Sequence, residues 1–225
     1  THVKLEMGND RNNSTGAESA TMRTKGEKAN VLRNPGWQLA ADAKKINPDL
    51  KVSILRWRTP AWVKKDEDRY IWYKQSILAA YEKYGYMVDY INPNVNEAWS
   101  GAGDVKYTKK FAKWIAAEST ATIKDEKALE LFRKIKLVVS DEANVVSDSV
   151  AETMKSDQEF MDAVDVVGYH YKTADDNNGG MKWLAEVVDK EVWNSEEQAT
   201  FSNSAFRPVT TDKAPTVAGT GIGGS

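Results

Sequence analysis

Apolar and β-branched residues recur along the chain in short, nearly continuous runs: Val3 to Met7, Lys51 to Trp57, Met87 to Ile91, Leu137 to Ser140, Val164 to Tyr169 and Val192 to Ser195. Most of these runs do not alternate with polar residues, which suits strands covered on both faces, as in parallel sheets. Between them the spacing becomes helical. Pro35 to Ile46 carries Trp37, Leu39, Ala40, Ala43 and Ile46 as one expected stripe, and Tyr70 to Tyr84 carries Ile77, Leu78, Tyr81 and Tyr84. Tyr107, Phe111, Trp114 and Ile115 follow the spacing of an amphipathic helix. Ala128 to Ile135 and Ser149 to Ala163 predict two more helices. Alternating strands and helices predict βαβ units around a parallel sheet.

Six strands are compatible with an open doubly wound sheet, and with a barrel of eight strands over about 250 residues from which two are missing. The polar residues decide between them. Glu6, Trp57-Arg58, Asn96-Glu97, Asp141-Glu142, His170-Tyr171 and Glu196 all fall at, or just past, the C-terminal ends of their runs. Barrel active sites are assembled there from several strands at once. The expected fold is therefore α/β, an incomplete (β/α)8 TIM barrel with strands two to seven visible, over residues 1–201. Residues 202–225 show no periodicity and are expected to be a loop or flexible C-terminal end. The polar stretch Asn9 to Asn30 reads as a surface loop from strand to helix.

Composition narrows the function. A chain of 225 residues, 41% hydrophobic and 28% charged, supports one sizeable core and one domain. With 31 basic and 33 acidic residues the net charge is −2, which lacks the electrostatic footprint of a nucleic-acid binder. There is no cysteine, so disulfides and thiol chemistry are excluded. No apolar stretch reaches the roughly 20 residues of a membrane span. His2 and His170 are the only histidines, too few to suggest a His-based zinc site, and no metal or other cofactor is expected. The chain starts at Thr1 without a signal peptide and is expected to be a piece of a longer protein. Gly219 to Gly224 formally matches G-x-G-x-x-G, but it neither follows a strand nor opens a helix, so dinucleotide binding is not inferred.

The chemistry rests on carboxylates. The run from Met87 to Glu97 ends in an Asn-Glu pair, and about a hundred residues later Val192 to Ser195 leads into Glu196 and Glu197. Two carboxylates at the ends of different strands are what glycoside hydrolysis requires, one as acid/base and one as nucleophile. The Asn96 amide can bond a sugar 2-hydroxyl, a contact that strengthens towards the oxocarbenium ion. Apolar surroundings such as Trp57 and Trp99 are expected to favour a protonated Glu97. Strand alternation does not choose between Glu196 and Glu197, because a one-residue slip reverses a side chain. Trp57, at a strand end, suits the apolar face of a sugar, whereas Trp62 is expected to pack. His170 and Tyr171 are candidate members of the sugar pocket.

Taken in order, His2 to Asp10, Asn47 to Lys51, Trp57 with Pro60 and Trp62, Val88 to Ile91, Asn96-Glu97, Ser140-Asp141, Val164 to Tyr171 and Trp193 to Glu196 resemble the galactocerebrosidases, a family of retaining β-galactosidases with a (β/α)8 catalytic barrel. The resemblance runs from His2 to about Phe201. It implies acid/base Glu97 after strand four and nucleophile Glu196 after strand seven, in preference to Glu197. It also implies substrate contacts from Trp57 and Asn96. Where the family usually has a Trp before the Asn-Glu pair, this chain has Val95.

The expected function is retaining hydrolysis of terminal β-galactosides, with galactosylceramide-like glycolipids as candidate substrates. No nucleic-acid partner and no membrane span are expected. The resemblance implies a secreted or extracellular protein, lysosomal if the source is animal. The alternatives are a β-glucosidase or endo-glycanase on the same barrel, and a carbohydrate-binding fragment without turnover.

Overall fold

Six strands form one parallel sheet whose order in space is their order in the chain: β1 (His2–Glu6), β2 (Lys51–Arg56), β3 (Tyr90–Val95), β4 (Lys136–Ala143), β5 (Val166–His170) and β6 (Glu191–Glu196). A doubly wound sheet reverses its strand order at a switch point, and none occurs here. Right-handed crossovers in constant sequence put all helices on one side. The helices are α1 (Pro35–Ile46), α2 (Asp66–Tyr84), α3 (Ala102–Ala117), α4 (Glu126–Phe132), α5 (Asn144–Ser156), α6 (Gln158–Ala163) and α7 (Gly180–Glu186). This computed structural model describes residues 2–13, 16–170 and 179–196. The expected 202–225 segment, Tyr171, Glu197 and the glycine-rich Gly219 to Gly224 lie outside them.

The sheet curls on itself. The rings of His2 on β1 and Trp193 on β6 meet edge to face at 5.0 Å, and Lys4 Nζ lies 3.6 Å from Glu196 Oε2. First and last strands thus face each other across an interior, two strands short of a closed eight-stranded barrel. The incomplete barrel expected from the sequence is the fold observed.

Local chemistry sets the boundaries. Asn34 caps α1 by accepting the Gly36 N–H, with Pro35 at the first helical position. Asp66, Glu67 and Asp68 start α2 four residues earlier than its aromatic pattern suggests, where acidic groups favour the positive end of the helix dipole. Gly85, with φ 78°, ends it in the left-handed conformation. The single helix expected from Ser149 to Ala163 is two, because Asp157 leaves the helix and caps α6 through the Phe160 N–H. The strand expected from Met87 begins only at Tyr90; Asp89 instead accepts the Val52 N–H, tying the entry of β3 to β2. Helix α7 had no signal in the sequence pattern.

The core has two parts. One packs β1, β2 and β3 under α1, α2 and α3 around Trp37, Trp72, Tyr73, Ile77 and Phe111; the other packs β4 and β5 under α5 and α7 around Val139, Val167, Met154, Phe160 and Leu184. Two expectations are corrected here. Leu39 and Ile46 are 61% and 89% exposed, so α1 buries Trp37, Ala40 and Ala41 on a narrower stripe than expected. Within the polar 9–30 stretch, Ala20, Thr21 and Met22 are buried. Thr21 Oγ1 and Ser76 Oγ on α2 share a hydrogen bond at 2.6 Å, and Trp62 Nε1 donates to the Met22 carbonyl. This loop is anchored into the core, and Trp62 packs as expected.

Candidate active site

The C-terminal ends of the strands are irregular, and the irregularities aim the polar side chains. Pairing slips by two residues between β2 and β3 at Ile54/Arg56, and by one between β4 and β5 at Ser140/Glu142 and between β5 and β6 at Tyr169/His170. Bulges of this kind end regular pairing and re-aim side chains beside active sites. The last slip sets Glu196, not Ser195, opposite His170. Glu97, Ser140 and Asp141 take φ values of 54°, 75° and 48°, a left-handed backbone that costs about 1–3 kcal/mol per non-glycine residue. The Glu97 N–H donates to the Asp141 carbonyl at 3.1 Å, so the strained turns after β3 and within β4 hold each other.

Glu97, His170 and Glu196 converge. His170 Nδ1 lies 3.0 Å from Glu97 Oε1 and 3.7 Å from Glu196 Oε2. One atom from each of the three side chains falls within 4.8 Å of the others. The imidazole is fully buried, while the two carboxylates are about one-third exposed. Both carboxylates are open to one side, so one bound molecule can reach the two of them together.

A second tier lies beneath. Asp141 is buried; its Oδ1 accepts Ser195 Oγ at 2.5 Å and faces His170 Nε2 at 3.3 Å, and its Oδ2 accepts Asn92 Nδ2 at 2.7 Å. Lys4 Nζ stands 3.7 Å from Asp141 Oδ1 and 3.6 Å from Glu196 Oε2. Burial opposes ionisation of Asp141, but His170, the Lys4 charge, Ser195 and Asn92 together hold its carboxyl at about 2. For His170, burial works against the charged ring, yet the bonds to Asp141 and Glu97 prevail and raise it above the usual imidazole range. Gly168 makes room for this tier: a Cβ there would sit 2.8 Å from both Asp141 Oδ1 and Ser195 Oγ.

The triad of Glu97, His170 and Glu196 has ligand spacing for a divalent cation. Lys4 sets a fixed positive charge against the same Glu196 oxygen, so the chain supplies its own cation there. A cavity of about 490 Å³ opens not at the carboxylates but below them, inside the curl, between Lys4 and Asp141 above and His2 and Trp193 below.

Among the other expected site residues, Asn96 directly precedes Glu97 and is 2% exposed, and neither of its amide atoms has a hydrogen-bond partner. Trp57 is half-buried just past β2. The Trp99 ring lies 6.2 Å from Phe160 and packs against the second core part. Lys4, Asn92 and Ser195 carried no expectation, and Asp141 was noted only at a strand end. The signal was present for Lys4: in His2 to Glu6 polar and apolar residues alternate, which turns His2, Lys4 and Glu6 to one face.

The galactocerebrosidase of Salmo salar is 27% identical over 212 residues, covering 89% of this chain and 28% of its own length. Those of Mus musculus and Homo sapiens are each 26% identical, covering 90% and 89% of this chain and 27% of their own length. The chain thus spans little more than a quarter of these relatives. Among solved structures, SrfJ from Salmonella typhimurium superposes with a TM-score of 0.67 at 18% identity, over 92% of this chain and 50% of that one. An endo-beta1,6-glucanase superposes with a TM-score of 0.66 at 13% identity, over 96% and 55%. At those identities the likeness is one of fold. The family model of glycosyl hydrolase family 59 matches residues 1–214, nearly the whole sequence, and the chain belongs to that family.

Proposed function

We propose that this barrel carries the hydrolytic centre of a retaining glycosidase acting on terminal β-galactosides, galactosylceramide-like glycolipids among them. Glu196 attacks the anomeric carbon while Glu97 gives its proton to the leaving oxygen; Glu97 then takes a proton from the water that releases the sugar. The observation that carries the reading is the approach of Glu97 and Glu196 to within 4.8 Å. That lies beside the roughly 5–5.5 Å of retaining enzymes and well short of the roughly 6.5–9.5 Å of inverting ones. The unpartnered Asn96 amide supports a sugar hydroxyl contact beside Glu97. Trp57 supplies an apolar face, and His170 lines the pocket beside Glu97. The galactose preference rests on the family and on the relatives' names. A secreted or lysosomal site of action goes with that substrate.

Side-by-side assays of aryl β-galactoside, β-glucoside and β-xyloside test it. The reading expects fastest release from the galactoside, with β-galactose as first product and activity lost in Glu196→Gln. Wild-type rates in Glu196→Gln, or α-galactose as first product, overturn it. The unpaired edges of β1 and β6 favour a second reading, a fragment that binds sugar without turnover. Galactoside binding by this chain, with hydrolysis only in a longer one, would support that.

A further inference from the structure

The tier beneath the carboxylates contains a charged group for which the double displacement has no use. Asp141 is an anion removed from water, which is unfavourable unless it is fully compensated. The fold bends in three places to accommodate it. Ser140 and Asp141 adopt left-handed backbone, the β4–β5 pairing slips beside them, and position 168 lacks the Cβ that would strike the carboxylate. A carboxylate kept only to satisfy neighbours needs none of this. Ser195 and Asn92 are neutral donors, and their needs could be met by a carbonyl.

The two positive neighbours of Asp141 explain its presence. Each of them also reaches the upper carboxylates, and Lys4 Nζ lies 3.4 Å from His170 Nε2. His170 turns Nε2 down to Asp141 at 3.3 Å and Nδ1 up to Glu97 at 3.0 Å. Lys4 stands between Asp141 at 3.7 Å and Glu196 at 3.6 Å. We propose, on the assignment of Glu97 and Glu196 made above, that Asp141 is a positioning residue for both catalytic carboxylates, holding Glu97 through His170 and Glu196 through Lys4.

Two physical consequences follow. A ring held at both nitrogens cannot rotate, so Glu97 keeps one fixed donor while it serves first as acid and then as base. A lysine drawn down by a buried anion keeps its charge beside Glu196 without closing over the face that must attack. The charged groups around Asp141 come from every strand that faces it: His2 and Lys4 from β1, Glu97 after β3, Glu142 of β4, His170 of β5 and Glu196 of β6. Three of these carboxylates, Asp141, Glu97 and Glu196, meet two cations, Lys4 and protonated His170. That cluster is neutral when one carboxyl carries a proton, the state from which the first step starts.

The test reads titration, not turnover. The glutamate carboxyls and the two histidine rings of the full chain are followed by carbon-detected NMR against pH, with Glu97→Gln and Glu196→Gln used for assignment. Lys4→Met should raise the Glu196 midpoint, because it removes the cation 3.6 Å from that carboxylate. Lys4→Arg should restore it. Asp141→Asn should lower the His170 midpoint and move both glutamates. A Glu196 midpoint unmoved in folded Lys4→Met overturns the Lys4 arm. A Glu97 midpoint unmoved in folded Asp141→Asn overturns the His170 arm. If Asp141→Asn fails to fold, His170→Gln reads that arm instead, with the same expected shift of Glu97 and the same contradicting result. Should Glu196→Gln still hydrolyse galactosides, the catalytic assignment falls while the measured couplings stand, so the two failures are distinguishable.

Discussion

His170 places its Nδ1 3.0 Å from Glu97 Oε1, joining a fully buried ring on β5 to a carboxylate on the turn after β3. This contact makes one unit of two strand ends that are far apart in sequence. Under the proposed roles it also ties catalysis to stability, because the ring beside Glu97 is fully buried.

That link gives a pH dependence of stability. His170 is raised in the folded chain, so its contribution is full below about 6.5, the unfolded value, and is lost as pH rises through the folded value. Asp141 is held at about 2 against 3.8, so its contribution is full above about 4 and fades as pH falls towards 2. The latter amounts to about 2 kcal/mol for this buried carboxylate. Urea midpoints measured from pH 3 to 9 should peak between about pH 4 and 6.5. A midpoint that rises steadily to pH 9 contradicts the two assignments.

Asn96 separates binding from folding. Both its amide atoms are buried without partners, so Asn96→Ala removes no hydrogen bond and should cost less than about 1 kcal/mol of stability. Loss of a transition-state contact to the sugar should lower kcat by roughly a hundredfold. Denaturant unfolding and steady-state kinetics on one preparation check both halves. A large loss of stability with normal turnover would make Asn96 structural.

Gly168→Ala should destabilise the chain by about 1–3 kcal/mol, since its Cβ would meet Asp141 and Ser195 at 2.8 Å. For a chain of this size that is a fall in Tm of about 2–4 °C per kcal/mol. Calorimetry reads it. An unchanged Tm would mean that the second tier has more room than the distances indicate.

The sequence made the fold legible where each strand is a continuous apolar run and each helix a repeated aromatic stripe. The meeting of Glu97 with Glu196 was foreshadowed by two carboxylates at strand ends, while the choice of Glu196 over Glu197 rested on the family resemblance. What escaped it depends on register. The slip that sets Glu196 opposite His170, and the one that releases Asp141 from pairing, leave no mark in composition. Lys4 and Ser195 act through long-range contacts made only when the sheet curls.

The central claim is tested most directly by trapping the covalent intermediate. The chain is incubated with an activated 2-deoxy-2-fluoro-β-galactoside, digested, and the labelled peptide is sequenced by mass spectrometry. The account predicts a single galactosyl ester on Glu196 and none in Glu196→Gln. An adduct on Glu97 or Glu197, or turnover that proceeds without any adduct, would contradict it.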